Sequence, residues 1–401
     1  MSDMTEIDRV EGHYVGKGAP LFALSIKTLL LTVLTLGIYR FWMMTRMRRY
    51  YWSSVQLSGT PFEYSGTGLE KLLGFLVAVV FLAIYLSIVQ VVLTFVGISL
   101  FSGDEILSNI SFNLSFLAVL PFIFYARYRA RRYILSRSTW RGLRFGADQA
   151  AWSYAGQAML HSFITLISLG LLYPRQTFKL EQFVTDRTWY GDLKFRQEGD
   201  WKMLYRAWIP VVLAVIFSIV CGAIGFANDN ANLSLGAGLG LFAALIAFIR
   251  YNVASFRILT EHKVIGENIR LSSSIQTGKI ILTYLFGAIG IGFIVFILTL
   301  IGGIFGAILG GALLNSLSVA ELDPNTAGYV FGAAVIFVYF LVLLLMSALA
   351  EVFIYQPILR HYVEQTTILN AGEIEVAAQR PFDANKDAGG FADALDVGAA
   401  M

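Results

Sequence analysis

Charge is scarce in this chain. Of its 401 residues only 14% are Asp, Glu, Lys or Arg, whereas 57% are hydrophobic, and mean hydropathy is +0.66. A soluble domain carries about a quarter charged residues, so a chain this depleted has to place most of its surface in lipid. Cys221 is the single cysteine, which excludes an intrachain disulfide and offers no thiolate metal set. The four histidines, His13, His161, His262 and His361, are scattered without ligand spacing, so no metal is expected. No nucleotide-binding loop, paired catalytic carboxylates or nucleophile elbow occurs, and the glycines of GLGLFAAL lie inside an apolar run. The expectation is therefore a protein that is not an enzyme and takes no cofactor. A net charge of +3 implies no nucleic acid. Residues 1–20 are polar and lack the basic start and cleavage site of a secretory signal.

What the chain has in place of charge is long apolar runs. A span takes about 20 apolar residues. Leu72–Leu100, Phe112–Tyr125, Trp208–Ala227, Leu235–Ile249, Ile280–Ala312 and Tyr329–Tyr355 fall into three pairs. The loops inside the pairs are acidic, with Asp104 and Glu105, Asp229, and Glu321 and Asp323. The outer ends are basic: seven arginines and no acid lie between Arg127 and Arg144. Positive residues stay cytoplasmic, so the pattern predicts three transmembrane hairpins, with both termini cytoplasmic.

Leu21–Tyr39 and Ala155–Tyr173 do not fit as spans. They share a motif, TVLTLGIY against TLISLGLLY, carry polar residues, and are followed by basic ones. A re-entrant or interfacial helix leaves both ends on one side. The expected fold is a polytopic α-helical membrane protein with six full spans and two such helices. Eight spans, with residues 174–206 outside, is the alternative.

Five pieces just after apolar segments align on a glycine, at Gly59, Gly142, Gly191, Gly266 and Gly372. Each has β-branched or aromatic residues before the glycine and alternating apolar and polar residues after it. That is the period of a half-buried strand, turned at a residue that takes positive φ cheaply. A lone hairpin is marginal in water, but several together are stable, so the five are expected to form one small cytoplasmic β-assembly. The same rhythm divides the chain into a polar segment 1–20, units 21–150, 151–275 and 276–380, and a flexible tail 381–401. The apolar run from Ile280 to Leu314 is expected to kink or break at its glycines. Glycines such as Gly236, Gly240, Gly302 and Gly303 allow close helix packing.

Three ionisable residues stand in apolar surroundings. Glu351 lies near the end of the last run, as a proton- or cation-coupled site or as half of an ion pair with Lys27 or Arg250. Lys27 and His161 take nearly corresponding places before Gly37 and Gly170, either lining one polar path or snorkelling. Arg46, Arg48, Arg49, Arg127, Arg129, Arg131 and Arg132, interleaved with aromatics, form a belt suited to anionic lipid headgroups or to plain anchoring.

The stretch Gly16-Lys17-Gly18, Leu21-Phe22, Leu29–Thr32, Thr35–Tyr39, Phe41-Trp42, Arg46, Arg48-Arg49-Tyr50, Ser58-Gly59, Pro61, Phe62 and Tyr64 resembles the YjgN-like family of bacterial inner-membrane proteins of unknown function. The strong match covers about 55 residues of the sequence, and it departs at Thr28 and Ser58, where Asn and Asp are expected. The resemblance implies a bacterial inner-membrane location and a fold, and no mechanism. Three readings follow: binding or moving lipid or a small amphiphile, proton-coupled transport of a small solute, and a scaffold that recruits a protein partner. Anionic membrane lipids are the expected partners, with a protein partner or a second copy of the chain beside them.

Overall fold

A computed structural model describes residues 9–101, 118–316 and 324–380. Its organising element is a closed barrel of ten short antiparallel strands. These are β1 (Arg9–Tyr14), β2 (Val55–Leu57), β3 (Thr60–Tyr64), β4 (Ser138–Trp140), β5 (Leu143–Ala147), β6 (Thr188–Tyr190), β7 (Leu193–Gln197), β8 (Lys263–Ile265), β9 (Ile269–Ser273) and β10 (Thr366–Leu369). Neighbours in space are neighbours in sequence, except that β10 closes the ring on β1 with Leu369 opposite Arg9.

Tight turns lie at one end of the barrel. The pairs Leu57–Thr60 and Trp140–Leu143 leave two-residue loops. In these loops Ser58 and Gly59, like Arg141 and Gly142, all take positive φ. That is the signature of the hairpin turn whose twist matches the strands. Gly191 and Gly266 turn the next two hairpins. Gly372 does not turn a fifth: it opens the short helix Gly372–Glu375, and β10 pairs instead with β1 and β9. The β1 strand comes from the polar segment 1–20, for which no strand was expected.

The opposite end is a mouth from which the chain makes five helical excursions. Each leaves after an odd-numbered strand and returns into the next. One residue past each outgoing strand, a backbone N–H closes onto the returning chain: Val15 to Ser54, Ser65 to Arg137, Asp148 to Arg187, Glu198 to His262 and Ser274 to Gln365, at 2.8–3.0 Å. The returning helices need their last carbonyls satisfied. The residue at the junction supplies a side chain each time, bonding the carbonyl four residues back: Ser54, Ser138, Thr188 and Thr366 through hydroxyls, His262 through Nδ1.

Two excursions are short pairs, Gly18–Leu34 with Arg40–Ser54 and Ala151–Ile167 with Tyr173–Thr185. These are the two segments predicted to be re-entrant or interfacial. A helix of 17 residues is about 25 Å long, and each turns back through a Leu–Gly step at positive φ, Leu36–Gly37 and Leu169–Gly170. The other three excursions are long. Gly68–Val96, Trp201–Ala227, Ala231–Glu261, Thr277–Ile304 and Val338–Glu364 are long and apolar enough to cross a membrane. These are five helices among the described residues, where six spans were expected. Of the expected span Phe112–Tyr125, residues 112–117 lie outside the described residues, and the rest runs through Leu120 into the basic helix Leu120–Ser136. The run from Ile280 is not broken at its glycines: Thr277–Ser316 is one continuous helix.

The excursions pack in a ring. Phe41 meets Phe75, Tyr128 meets Tyr154, Tyr173 meets Trp208, and Phe256 meets Tyr362. Val352 closes the ring against the first short pair, its Cγ1 3.0 Å from where a side chain on Gly18 would begin. Within the second long pair Gly240 lies against Ser218, whose hydroxyl donates to Ala237 O at 2.7 Å. Gly302 and Gly303 face open space.

Inside the barrel Val10, Trp140, Tyr190, Ile265, Ile269 and Ile368 are buried together, with Leu57, Phe62, Phe145 and Phe195 against them. Burial of each such side chain contributes about 1.5–3 kcal/mol. The lumen is a packed core and not a pore.

Candidate functional site

Three places gather the residues singled out from sequence, and all lie on the helical excursions. The first is the pair of short helical excursions. Their buried faces superpose with an offset of 133 residues. Leu21, Ser25 and Thr28 are buried in one, and Tyr154, Ala158 and His161 in the other. His161 thus stands where Thr28 stands, one residue away from Lys27. Lys27 is exposed, while His161 is 5% exposed and accepts through Nδ1 from Arg175 at 3.0 Å. A guanidinium only donates, so that ring is neutral with its proton on Nε2. Burial first, then the Arg175 charge, lower the pKa of His161. The two residues do not face one path: one is outside, the other locked inside. At the turns the pairs present leucines to the exterior, with Leu36 94% and Leu169 91% exposed.

The second place is Glu351. It opens a π-helical turn, Glu351–Tyr355, between the last span and the helix Gln356–Glu364. Such turns interrupt helices at functional sites and kinks. Neither Lys27 nor Arg250 is its partner. The carboxylate receives the hydroxyl of Tyr51, from the return helix of the first short pair. Burial, with Glu351 beside it, holds that phenol protonated. Around this contact Gln356 donates to Gly16 O at 3.0 Å, and Tyr50 donates to Lys17 O at 2.6 Å. Tyr14, at the end of β1, folds its ring over Gly16, where a Cβ would stand 2.5 Å from the phenol oxygen. That explains the glycine at this position. Burial pushes the Tyr14 phenol up to about 12. Tyr14 and Tyr51 were not singled out from sequence, and Tyr50 was named only within the stretch that carries the family resemblance. Their signal was the alternation of aromatics around the basic residues, but the partner lies 300 residues away.

The third place is the arginine belt, which the fold divides. Arg132 is buried, and its Nε donates to Ala147 O at 3.2 Å. Arg48 reaches the Tyr64 hydroxyl and lies over the Trp52 and Tyr64 rings; Arg129 reaches Tyr125; the Nε of Arg131 is buried. Arg46, Arg49 and Arg127 are exposed, Arg46 over the Tyr39 ring and Arg49 donating to Gly66 O. Below Arg131 lies an ion pair missed in the sequence, Glu181 with Lys263 at 2.6 Å. The Lys263 ammonium, chiefly, holds the Glu181 carboxyl down to about 2. Among the described residues no group of three or more His, Cys, Asp or Glu could hold a metal ion.

The chain is similar to two curated proteins, both called inner membrane protein YjgN. It is 28% identical to the one from Salmonella typhimurium over 35% of this chain and 33% of that protein. It is 31% identical to the one from Escherichia coli O157:H7 over 32% of this chain and 29% of that protein. The matched stretches thus cover about a third of those relatives' length. No solved structure matches. The model of the family described as bacterial protein of unknown function (DUF898) matches residues 9–293, well over half of the chain, and the chain belongs to that family.

Proposed function

We propose that this protein is a non-enzymatic inner-membrane protein, termini on the cytoplasmic side, that binds anionic lipid headgroups and handles lipid or a small amphiphile. The observation that carries the reading is the first short helical pair. Residues 18–54 hold Lys27, Arg40, Arg46, Arg48 and Arg49 and no acid. The same element ends in exposed Leu34, Leu36 and Ile38. An apolar tip on a cationic stem matches an acyl layer beneath an anionic headgroup layer. Each basic residue near such a surface contributes about 1 kcal/mol. Arg46, Arg49 and Arg127 are the headgroup contacts, because they are the exposed arginines of the belt, whereas Arg48, Arg129 and Arg131 are half-buried and Arg132 is buried.

Native mass spectrometry of gently extracted protein tests this. The wild type should carry a defined anionic phospholipid, and the variant with Arg46, Arg49 and Arg127 changed to Gln should lose it. Equal retention by the variant, or a bare wild type, refutes the reading. A second reading, proton-coupled movement of a small solute, is favoured by one observation: a carboxylate at a π turn inside the last membrane-length helix, bonded to Tyr51.

A further inference from the structure

The far end of the barrel, away from the mouth, is half covered by the chain's own last described residues. After β10 the short helix Gly372–Glu375 turns across the opening, and Ala371 and Ile374 are buried against the barrel core, with Ala377 beside them. Glu373 accepts from the Glu267 N–H at 3.2 Å and from the Asn268 amide at 2.8 Å. Further on, the Ala378 N–H donates to Asp192 at 3.0 Å, Gln379 accepts from the Arg144 N–H at 2.8 Å, and Arg380 lies 4.1 Å above the Trp189 ring. The strap runs over two of the four turns. A Cβ on Gly191 would come 2.6 Å from Ala378 O, and one on Gly266 2.7 Å from Glu373 Oε2, while Gly59 and Gly142 have nothing within 4 Å.

We propose that this end of the barrel is a cup for a single-chain carboxylate amphiphile and that residues 370–380 are its built-in plug. The inference rests on the reading that the protein handles lipid or a small amphiphile, and it names a site and a ligand class for it. About eight strands give a lumen that wall side chains alone fill. This barrel has ten, and part of its lumen is filled by a segment that belongs to no strand. The plug is held by Ile374 and the small Ala371, by exposed polar contacts and by Arg380 over the Trp189 ring, none of them a strand-to-strand bond, so it leaves without breaking the strand ladder. Its own contacts state the chemistry of a replacement. A carboxylate is received by the Glu267 N–H and the Asn268 amide, and next to it an apolar branch enters the space among Val10, Trp140, Tyr190 and Ile269. A fatty carboxylate offers the same two groups in the same order, with the first carbons of its chain taking the space that Ile374 and Ala371 leave. Apparent affinity is then the intrinsic affinity reduced by the fraction of molecules with the plug out.

The test uses full-length protein in nanodiscs, in a Cys221→Ser background, with dansyl-undecanoate as the fluorescent probe and empty nanodiscs as the blank. Ile374→Glu expels the plug and should tighten saturable binding about tenfold or more. Asp192→Cys with Ala378→Cys, a strap contact away from the carboxylate receivers, joined by a short bis-maleimide, ties the plug down and should reduce binding to the blank, while the unjoined pair still binds. Equal binding by the joined and unjoined pair overturns the proposal, as does an Ile374→Glu protein that melts normally and binds no tighter. If Ile374→Glu does not fold, the joined pair decides alone. Phospholipid retention by Arg46, Arg49 and Arg127 is read on the same samples: phospholipid kept while the cup fails its test overturns the cup alone.

Discussion

Tyr51→Phe is the sharpest test of how the first short excursion is tied to the last span. The substitution removes one oxygen and keeps the ring, including its edge contact with Tyr50 at 6.0 Å. What is lost is the hydroxyl that Glu351 receives. A polar group left without a partner away from water costs about 1–3 kcal/mol, and more when it is charged. Tyr51→Phe should therefore destabilise by about 2 kcal/mol or slightly more. Glu351→Leu strips out the acceptor instead, and the double variant leaves neither group orphaned. The coupling between the two changes should be at least about 1 kcal/mol, within the range for contacting residues. The assay is SDS titration in mixed micelles, followed by tryptophan fluorescence, on all four members of the cycle. Lys27→Met and Arg250→Met serve as comparisons, because both side chains are exposed and should each change stability by less than about 0.5 kcal/mol. A coupling below about 0.5 kcal/mol, or a Lys27→Met effect as large as that of Tyr51→Phe, would refute the reasoning.

Further outcomes follow from the mouth of the barrel. Glu181 is held down to about 2 by Lys263, against an ordinary value of 4.5. The unfolded chain binds the proton first, so the stabilisation is fully present above about 4.5 and is lost as pH falls from there toward 2, at most about 3 kcal/mol in all. Unfolding measured against pH should show this slope in the wild type and a flatter one in Glu181→Gln; an unchanged slope rejects the assignment. Ser138→Ala, Thr188→Val and Thr366→Val each remove a hydroxyl that bonds a helix-end carbonyl, and each should cost about 1 kcal/mol in the same SDS titration. A chain stopped after Glu364 lacks β10 and exposes the edges of β1 and β9. It should aggregate on size exclusion, and a monodisperse, protease-resistant product would show that closure is dispensable.

Much of this arrangement was legible in the sequence, for a local reason. The hairpins at Gly59, Gly142, Gly191 and Gly266 each carry their strand period and their turn within about ten residues, so short-range pattern sufficed. The stretch at Gly372 has the same appearance, TTIL before the glycine, yet it pairs with Ile269–Ser273 on one side and Arg9–Tyr14 on the other, and no local signal joins strands so far apart in sequence. The short helical pairs were legible from length and polar content, while their inner faces depended on register. A count from the glycine that misses by one residue turns a helical position by about 100°, and that separates Lys27 outside from His161 inside. The belt arginines were legible as a class, but which of them the fold uses was not, because Ala147, Tyr64 and Gly66, which engage Arg132, Arg48 and Arg49, are reached only once the barrel is formed. Glu351 was found through the cost of its charge. Its partner could not be, since a tyrosine among many is marked only by three-dimensional proximity.

Each excursion returns to within a backbone hydrogen bond of where it left, so each helical pair can be inserted and closed as a unit when its two strands have been made. Three of the five units carry the membrane-length helices, and two carry the short pairs with exposed leucines at the turn. The barrel thus fixes five independent insertions in a ring, in the order short, long, short, long, long. Among the described strand pairs, β1–β10 alone joins the first strand to the last, and the strap that covers the far end begins one residue after that seam. The strap can reach Glu267, Asn268, Asp192 and Arg144 only after the hairpins at Gly142, Gly191 and Gly266 stand side by side. It is thus the last element whose contacts can form. It is held by exposed hydrogen bonds, the Arg380–Trp189 contact and the buried Ala371 and Ile374, and so it is the element that can leave while the ten-strand ladder stays intact.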